Sequence, residues 1–207
     1  TDLRVSEVGF GAWAIGGGAM IGSTAIGWGD VDDRISTAAV LAAIEAGINF
    51  FDTADIYGLG HSEELLGNVI GTSKDILVAS KVGNVSRNEQ FTVDYTADYI
   101  LSACDQSLRR LKRDGIDFYQ LHTARMTHLQ QGDCIEAMMR LQAAGKIRYW
   151  GLSLNTFDPY PEAGYLMEQE LGNGFQLVLN LINQRSLPLL KQAGEKGYGV
   201  IVRMPLQ

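Results

Sequence analysis

What most constrains the fold of this chain is an alternation of apolar runs and helix-like stretches. The apolar runs cover residues 3–14, 48–52, 76–81, 116–122, 147–154, 175–182 and 199–204. Between them lie segments of helical character, at 33–44, 62–69, 93–111, 134–144, 160–169 and 187–195. Acidic residues (Asp30, Asp32, Asp33) open the first helix and suit its positive end, Ser62 is expected to cap the second, and Gly47, Gly71, Gly145 and Gly197 stop four of them. The strands read as unbroken apolar runs rather than polar alternations, the pattern of a parallel sheet covered on both faces.

Parallel strands linked by helices leave two architectures, an open doubly wound sheet or a closed (β/α)8 TIM barrel. Polar residues stand at the end of strand after strand: Asp52, Lys81, His122, Ser153 and Asn183. Chemistry that converges from many strand ends is what a barrel permits. An open sheet gathers its site at one switch point. The expected fold is therefore the α/β barrel. Seven strands are read where a closed barrel needs eight. The chain starts on Thr1 and ends on Met204-Pro205-Leu206-Gln207, as another strand-end loop begins. Residues 1–207 are thus expected to be one partial barrel domain, a fragment without its eighth strand and C-terminal helices.

Composition excludes some partners. With 207 residues, 46% of them hydrophobic, the chain can bury a sizeable core. Its net charge of -7 disfavours nucleic acid and anionic membrane surfaces, whose phosphates it would repel. No signal peptide or spanning segment is visible, and a cytoplasmic setting is expected. Cys104 and Cys134 are isolated, which points to a reducing compartment and gives no metal site. The Gly9-x-Gly11-x-x-Ala14 spacing imitates a dinucleotide fingerprint, but Ile15-Gly16-Gly17-Gly18 would open a helix badly. It is read as a strand-end loop. Met138 and Met139 read as helix packing, and the run Arg109, Arg110, Lys112, Arg113 as a solvated helix C-terminus.

The strand ends carry the chemistry. In Phe50-Phe51-Asp52-Thr53-Ala54-Asp55-Ile56-Tyr57-Gly58 an apolar strand runs into an Asp, and a Tyr follows on a Gly-flanked loop. Lys81 and His122 end later strands; Asp55, His61 and His128 do not end an apolar run. Reduction of a carbonyl needs an acid to protonate the oxygen as hydride adds to carbon. A phenol is a weak acid, and a neighbouring ammonium favours its ionised form. A carboxylate can hold that ammonium, and an imidazole can donate to the same oxygen. Asp52, Tyr57, Lys81 and His122 supply these four roles.

Several segments together resemble the aldo-keto reductase family, in its bacterial-type branch. They are Gly9-Phe10-Gly11-Ala12-Trp13, the Asp52-Thr53-Ala54-x-x-Tyr57-Gly58 motif, Ser62-Glu63-Glu64-Leu65-Leu66-Gly67 and Ala79-Ser80-Lys81-Val82-Gly83. Asp117-Phe118-Tyr119-Gln120-Leu121-His122 and the stretch from Gly145 to Ser153 continue the pattern in order. The resemblance implies a (β/α)8 oxidoreductase that uses NADP, with NAD not excluded, to reduce a small-molecule aldehyde or ketone. It makes Tyr57 the proton donor, Lys81 its tuning group, Asp52 the partner of Lys81, and His122 the group that orients the carbonyl. Gly11 and Trp13 would border the nicotinamide and substrate. Ser153, with Asn155 or Gln184, would hold the carboxamide. Arg203 would stack on the nicotinamide ring, and Pro205, Leu206 and Gln207 would begin the pyrophosphate loop.

This chain departs from the family pattern where Leu154 separates Ser153 from Asn155, and where Thr123-Ala124-Arg125 follow His122. A second reading is a nicotinamide-binding redox sensor of the same fold, similar to the potassium-channel β subunits. Residues 15–29, with Met20, Ile21 and Trp28, are expected to wall the pocket as a mobile, apolar mouth for a hydrophobic or aromatic carbonyl. Oligomeric state is open.

Overall fold

A computed structural model describes residues 1–71 and 73–206. In chain order the elements are β1 (Phe10–Gly11), β2 (Gly18–Ile21), β3 (Thr24–Gly27), α1 (Asp33–Glu45), β4 (Phe50–Asp52) and α2 (His61–Ile70). There follow β5 (Leu77–Val82), β6 (Asn84–Arg87), β7 (Gln90–Val93), α3 (Ala97–Leu111), β8 (Ile116–His122), α4 (Met126–Gln131) and α5 (Asp133–Ala143). The last are β9 (Ile147–Ser153), α6 (Tyr160–Glu168), β10 (Gly174–Val178), α7 (Leu187–Glu195) and β11 (Gly199–Arg203).

A seven-stranded sheet of order β1-β4-β5-β8-β9-β10-β11 organises the molecule, and every pairing in it is parallel. Each strand lies beside the next strand of the sheet in sequence. The order never reverses, so no switch point exists, and the doubly wound alternative is excluded. The sheet curls. Phe50 on β4, Leu77 and Ala79 on β5, Phe118 on β8, Tyr149 on β9 and Ile201 on β11 share one apolar cluster with Leu3. Strands from opposite ends of the sheet can share a cluster only around a common interior, as in a (β/α)8 barrel. The larger core lies between the outer face of the sheet and the helices, with Phe51, Val78, Val82, Tyr119, Leu121, Trp150, Leu152, Phe175 and Leu177 facing outward.

Register decides which side chains point inward, because residues paired across parallel strands share a face. Lys81 pairs with Gln120, Gln120 with Gly151, Gly151 with Gly174 and Gly174 with Gly199. A Cβ on Gly151 would lie 2.7 Å from Phe118 Cζ, and one on Gly174 would lie 3.2 Å from it. These bare positions give the Phe118 ring its place in the barrel interior. The next layer outward along the strands holds His122, Ser153, Gln176 and Ile201. Asp52, Lys81, Gln120, His122, Ser153, Gln176 and Arg203 therefore all project into the interior.

Local chemistry adjusts the expected boundaries. Asp32 caps α1, accepting the Arg34 N–H at 2.8 Å. Ser62 does not cap α2, since Gly60 takes that position with φ of 104°. The Ser62 hydroxyl turns inward, donating to Ala12 O at 2.8 Å and bonding Thr53 Oγ1 at 2.8 Å. It ties the ends of β1 and β4 together. The first strand is only Phe10–Gly11, and residues 93–96 are not helical. Gln90–Val93 instead pairs antiparallel with Asn84–Arg87 through a turn in which Asn88 and Glu89 take φ of 49° and 58°.

The Gly-rich stretch is a second antiparallel hairpin, β2 with β3. Its glycines permit close backbone contact. A Cβ on Gly27 would lie 2.2 Å from Gly17 O, one on Gly58 would lie 2.1 Å from Gly16 O, and one on Gly22 would lie 2.4 Å from Glu89 O. The hairpin is thereby seated against the Tyr57 turn at its stem and the β6–β7 turn at its tip. The stretch expected as a mobile mouth is thus a paired hairpin with backbone contacts at both ends. No described helix is long and apolar enough to cross a membrane.

Candidate active site

Three strand-end residues, Asp52, Lys81 and His122, meet Tyr57 of the following turn at the C-terminal end of the sheet. Lys81 is fully buried, and its Nζ donates to Asp52 Oδ2 at 2.7 Å, Thr53 O at 2.7 Å and Tyr57 OH at 3.2 Å. Burial alone would lower the lysine. The Asp52 carboxylate and the Tyr57 oxygen outweigh it and hold Lys81 above its usual value, as an ammonium. Asp52 Oδ1 accepts from Gln120 Nε2 at 3.1 Å, so both carboxylate oxygens are engaged. The Tyr57 ring faces Lys81 Nζ at 4.8 Å and meets His122 edge-on, with centroids 6.0 Å apart.

His122 is held neutral. Burial, helped by the positive charges of Lys81 and Arg203, pushes its value down to about 3. Its Nδ1 is buried with no partner among the described residues. The chain leaves His122 under strain: Thr123 takes φ of 65°, unusual for a β-branched residue. Its N–H serves Leu121 O at 3.1 Å and Ser153 O at 3.0 Å. Leu59 after Tyr57 and Met204 after Arg203 also have positive φ, 53° and 58°. Such residues cost about 1–3 kcal/mol each and collect at functional sites.

The remaining expected residues divide. Gly11 pairs with Asp52 and has open space where a side chain would be. Trp13 is 48% exposed, 6.1 Å from the Tyr57 ring and 5.5 Å, edge-on, from Trp28. Ser153 is buried and donates from Oγ to Gln176 Oε1 at 3.3 Å. Asn155 lies in the following loop, where Oδ1 accepts the N–H groups of Phe157 and Asp158 at 2.9 and 3.1 Å. Arg203 ends β11, donating to Thr156 Oγ1 at 3.0 Å and Leu154 O at 3.4 Å, with Nε buried and unpaired among the described residues. Pro205 and Leu206 follow, exposed, and Gln207 lies outside the described residues.

Two expectations fail for one reason. β10 ends at Val178, because Asn180 turns the chain by accepting the N–H groups of Ile182 and Asn183 at 3.0 and 2.7 Å. Asn183 is therefore not a strand end. Gln184 is exposed on the loop, bonded to Leu181 O at 3.1 Å, and the structure does not bring it to Ser153. Gln176 stands there instead. Gln176 and Gln120 were missed by sequence reading; each is a lone amide inside an apolar strand, and that was the available signal.

The interior combines open space with unpaired polar atoms. Three buried polar atoms there lack partners among the described residues: Gln120 Oε1, His122 Nδ1 and Arg203 Nε. Gly11, Asp52, Phe118, Gln176, Ile201 and Arg203 line a cavity of about 620 Å³. Buried polar atoms normally find a partner in protein, water or ligand, so these three are the free hydrogen-bonding positions of the interior. Among the described residues no cluster of His, Cys, Asp or Glu could hold a metal.

Known proteins share this sequence pattern. The aldo/keto reductase family model matches residues 7–207. Aldo-keto reductase YhdN of Bacillus subtilis is 35% identical over 156 residues, covering 74% of this chain and 44% of that protein. L-galactose dehydrogenase of Arabidopsis thaliana is 31% identical over 217 residues, covering 100% of this chain and 63% of that protein. The holo form of an aldo-keto reductase from Bacillus halodurans superposes with a TM-score of 0.83 at 30% identity, over 100% of this chain and 68% of that one. An aldo-keto reductase from Klebsiella pneumoniae in complex with NADPH gives 0.76 at 28% identity, over 98% and 64%. The chain spans 44% to 63% of the length of the first curated relatives it matches.

Proposed function

This chain belongs to the aldo/keto reductase family, and from that premise we propose that it reduces an aldehyde or ketone to an alcohol with Tyr57 as proton donor. The observation that carries this reading is the Lys81 ammonium, bonded at once to Asp52, Thr53 O and Tyr57 OH. The substrate oxygen sits between the Tyr57 hydroxyl and the His122 ring. His122, kept neutral by burial and two nearby cations, donates a hydrogen bond and orients the carbonyl. It cannot be the acid near neutral pH, because its cation is depleted there. Tyr57 gives the proton, and the negative charge left on its oxygen falls beside Lys81 at 3.2 Å. Asp52 and Thr53 O hold that ammonium in place. Proton transfer of this kind contributes about 10²–10⁴-fold.

A nicotinamide cofactor, NADPH or NADH, supplies the hydride when bound. Ser153 and Gln176 would take its carboxamide, with Asn155 left only its Nδ2. The Arg203 plane would lie along the ring, the bare Gly11 would let it approach, and Pro205 and Leu206 would pass its phosphates. Trp13 would border the substrate. NADPH bound to the Klebsiella pneumoniae relative supports the cofactor class.

The test is Tyr57→Phe, with absorbance at 340 nm reporting NADPH oxidation by an aldehyde panel and fluorescence reporting NADPH binding. Turnover should fall at least 100-fold while binding stays within about twofold. Near-wild-type turnover would sink the donor assignment. Wild-type binding without turnover on any carbonyl would favour the redox sensor.

A further inference from the structure

Behind the site, on the outer face of β5, lies a second buried polar group that the proposed chemistry does not use. Glu63 on α2 is completely buried. Its Oε1 accepts from Ser80 Oγ at 2.5 Å, and its Oε2 accepts from Arg110 Nε at 2.8 Å and Nη2 at 2.7 Å. Arg110 also reaches Ser107 Oγ at 3.4 Å, and its side chain is 21% exposed. A helix C-terminus was the expected place for a solvated arginine. This one points inward because a buried carboxylate faces it.

The pair touches both segments that set the Tyr57–Lys81 contact. Ser80 precedes Lys81 on β5, and the two side chains project to opposite faces of the strand. On the other side, Gly60 closes the Tyr57 turn with φ of 104°, and a Cβ there would lie 2.9 Å from Arg110 Cδ and 3.0 Å from Nε. The turn therefore rests on the arginine stem. Glu63 lies in the first turn of the helix that the turn feeds. A carboxylate that binds one segment directly and the other through a guanidinium fixes the distance between them. Asp55, between Asp52 and Tyr57, is raised well above the usual carboxylate value by its burial and by the charge of Glu63.

We propose that Glu63 and Arg110 are positioning residues that hold the Tyr57 turn and the Lys81 strand in register for proton transfer. This rests on the reading of Tyr57 as proton donor. Geometry alone can carry a large effect on rate: a misplacement of about 1 Å in a reacting pair can cost up to about 100-fold.

Three variants test it in the NADPH-saturated protein: Glu63→Gln, Ser80→Ala and Tyr57→Phe, with 4-nitrobenzaldehyde as substrate. Ser80→Ala removes one hydrogen bond and leaves no buried charge unpaired, so it remains informative if Glu63→Gln does not fold. The expected result is a kcat about 10-fold lower or more in Glu63→Gln and Ser80→Ala, with NADPH affinity within about twofold and a larger solvent isotope effect. The ¹³C resonance of Tyr57 Cζ, assigned by its disappearance in Tyr57→Phe, should also shift in Ser80→Ala without any turnover being needed. A cooperative, native-like Ser80→Ala with unchanged kcat and unchanged Tyr57 resonance would overturn the positioning role while Tyr57→Phe stays inactive. An active Tyr57→Phe would instead overturn the donor reading, and with it this inference.

Discussion

Replacing Lys81 by Met tests how much the buried charge pair contributes to holding the site. The Lys81 side chain is 1% exposed and that of Asp52 18%. Removing Nζ leaves Asp52 Oδ2, Thr53 O and Tyr57 OH without their shared donor. Breaking a buried ion pair from one side costs about 3–5 kcal/mol, because the remaining charge is stranded. Asp52 keeps its bond from Gln120 and some contact with solvent, which places the cost near the lower end, about 3 kcal/mol. At a denaturant slope of about 2 kcal/mol per M, that is a drop of about 1.5 M in urea midpoint. Asp52→Asn added to Lys81→Met removes the stranded charge and should recover all but about 1 kcal/mol. The assay is urea unfolding of both single variants and the double, followed by circular dichroism. A Lys81→Met cost under about 1 kcal/mol, or a double variant that loses the sum of the singles, would refute the stranded-charge account.

Gly58→Ala should be worse than Gly29→Ala although both positions have positive φ (58° and 85°), because only the first would drive a Cβ to 2.1 Å from Gly16 O while the second has open space. Expected losses in melting temperature are about 2–4 °C at Gly29 and at least twice that at Gly58; equal shifts would show that the hairpin is not seated on the Tyr57 turn. For His122 the folded value of about 3 lies below the ordinary histidine value of 6.5. The unfolded chain therefore takes up the proton first, and this stability is full above pH 6.5 and drains as pH falls toward 3. Wild type should lose about 2–3 kcal/mol more than His122→Asn between pH 7 and pH 4.5, and equal losses would contradict a neutral, buried imidazole. Cys104 and Cys134 are buried with thiols pushed up to about 12 and about 11, mainly by burial. Neither should react with Ellman's reagent at pH 8 until urea opens the fold.

Elements built from local chemistry were legible. β8 runs over Ile116–His122 and α7 over Leu187–Glu195, the bounds read from sequence, because an unbroken apolar run and a Gly stop are both local signals. The two hairpins were not legible, for different reasons. Val93 and Tyr95 fit a helical spacing with the residues of α3, and the competing pairing of Gln90–Val93 depends on the turn at Asn88 and Glu89. The glycines of residues 16–29 look like a flexible loop by composition. They are required because the backbones of Gly16 and Gly58, and of Gly17 and Gly27, nearly touch. Such contacts join separated segments, and composition carries no trace of them.

The same distinction separates the parts of the site. Asp52, Lys81 and His122 could be read because each stands at or next to the end of its own strand, and Tyr57 because it sits in a short turn just after Asp52. The partner of Ser153 could not, because it depends on register between β9 and β10, and a shift of one residue would turn Gln176 to the outer face. Gln184 was the reachable amide only if β10 continued to 182, and Asn180 ends that possibility by bonding its own following backbone. Neighbouring residues on β5 make the point most sharply. Ser80 and Lys81 are adjacent in sequence yet serve opposite faces, one bonded to Glu63 and the other to Asp52. Strand alternation predicts that they diverge, but only the curled sheet and the packing of α2 and α3 determine what each one meets. Reading a barrel site from sequence thus reaches the residues that end strands, and stops at those whose role comes from what lies across the sheet.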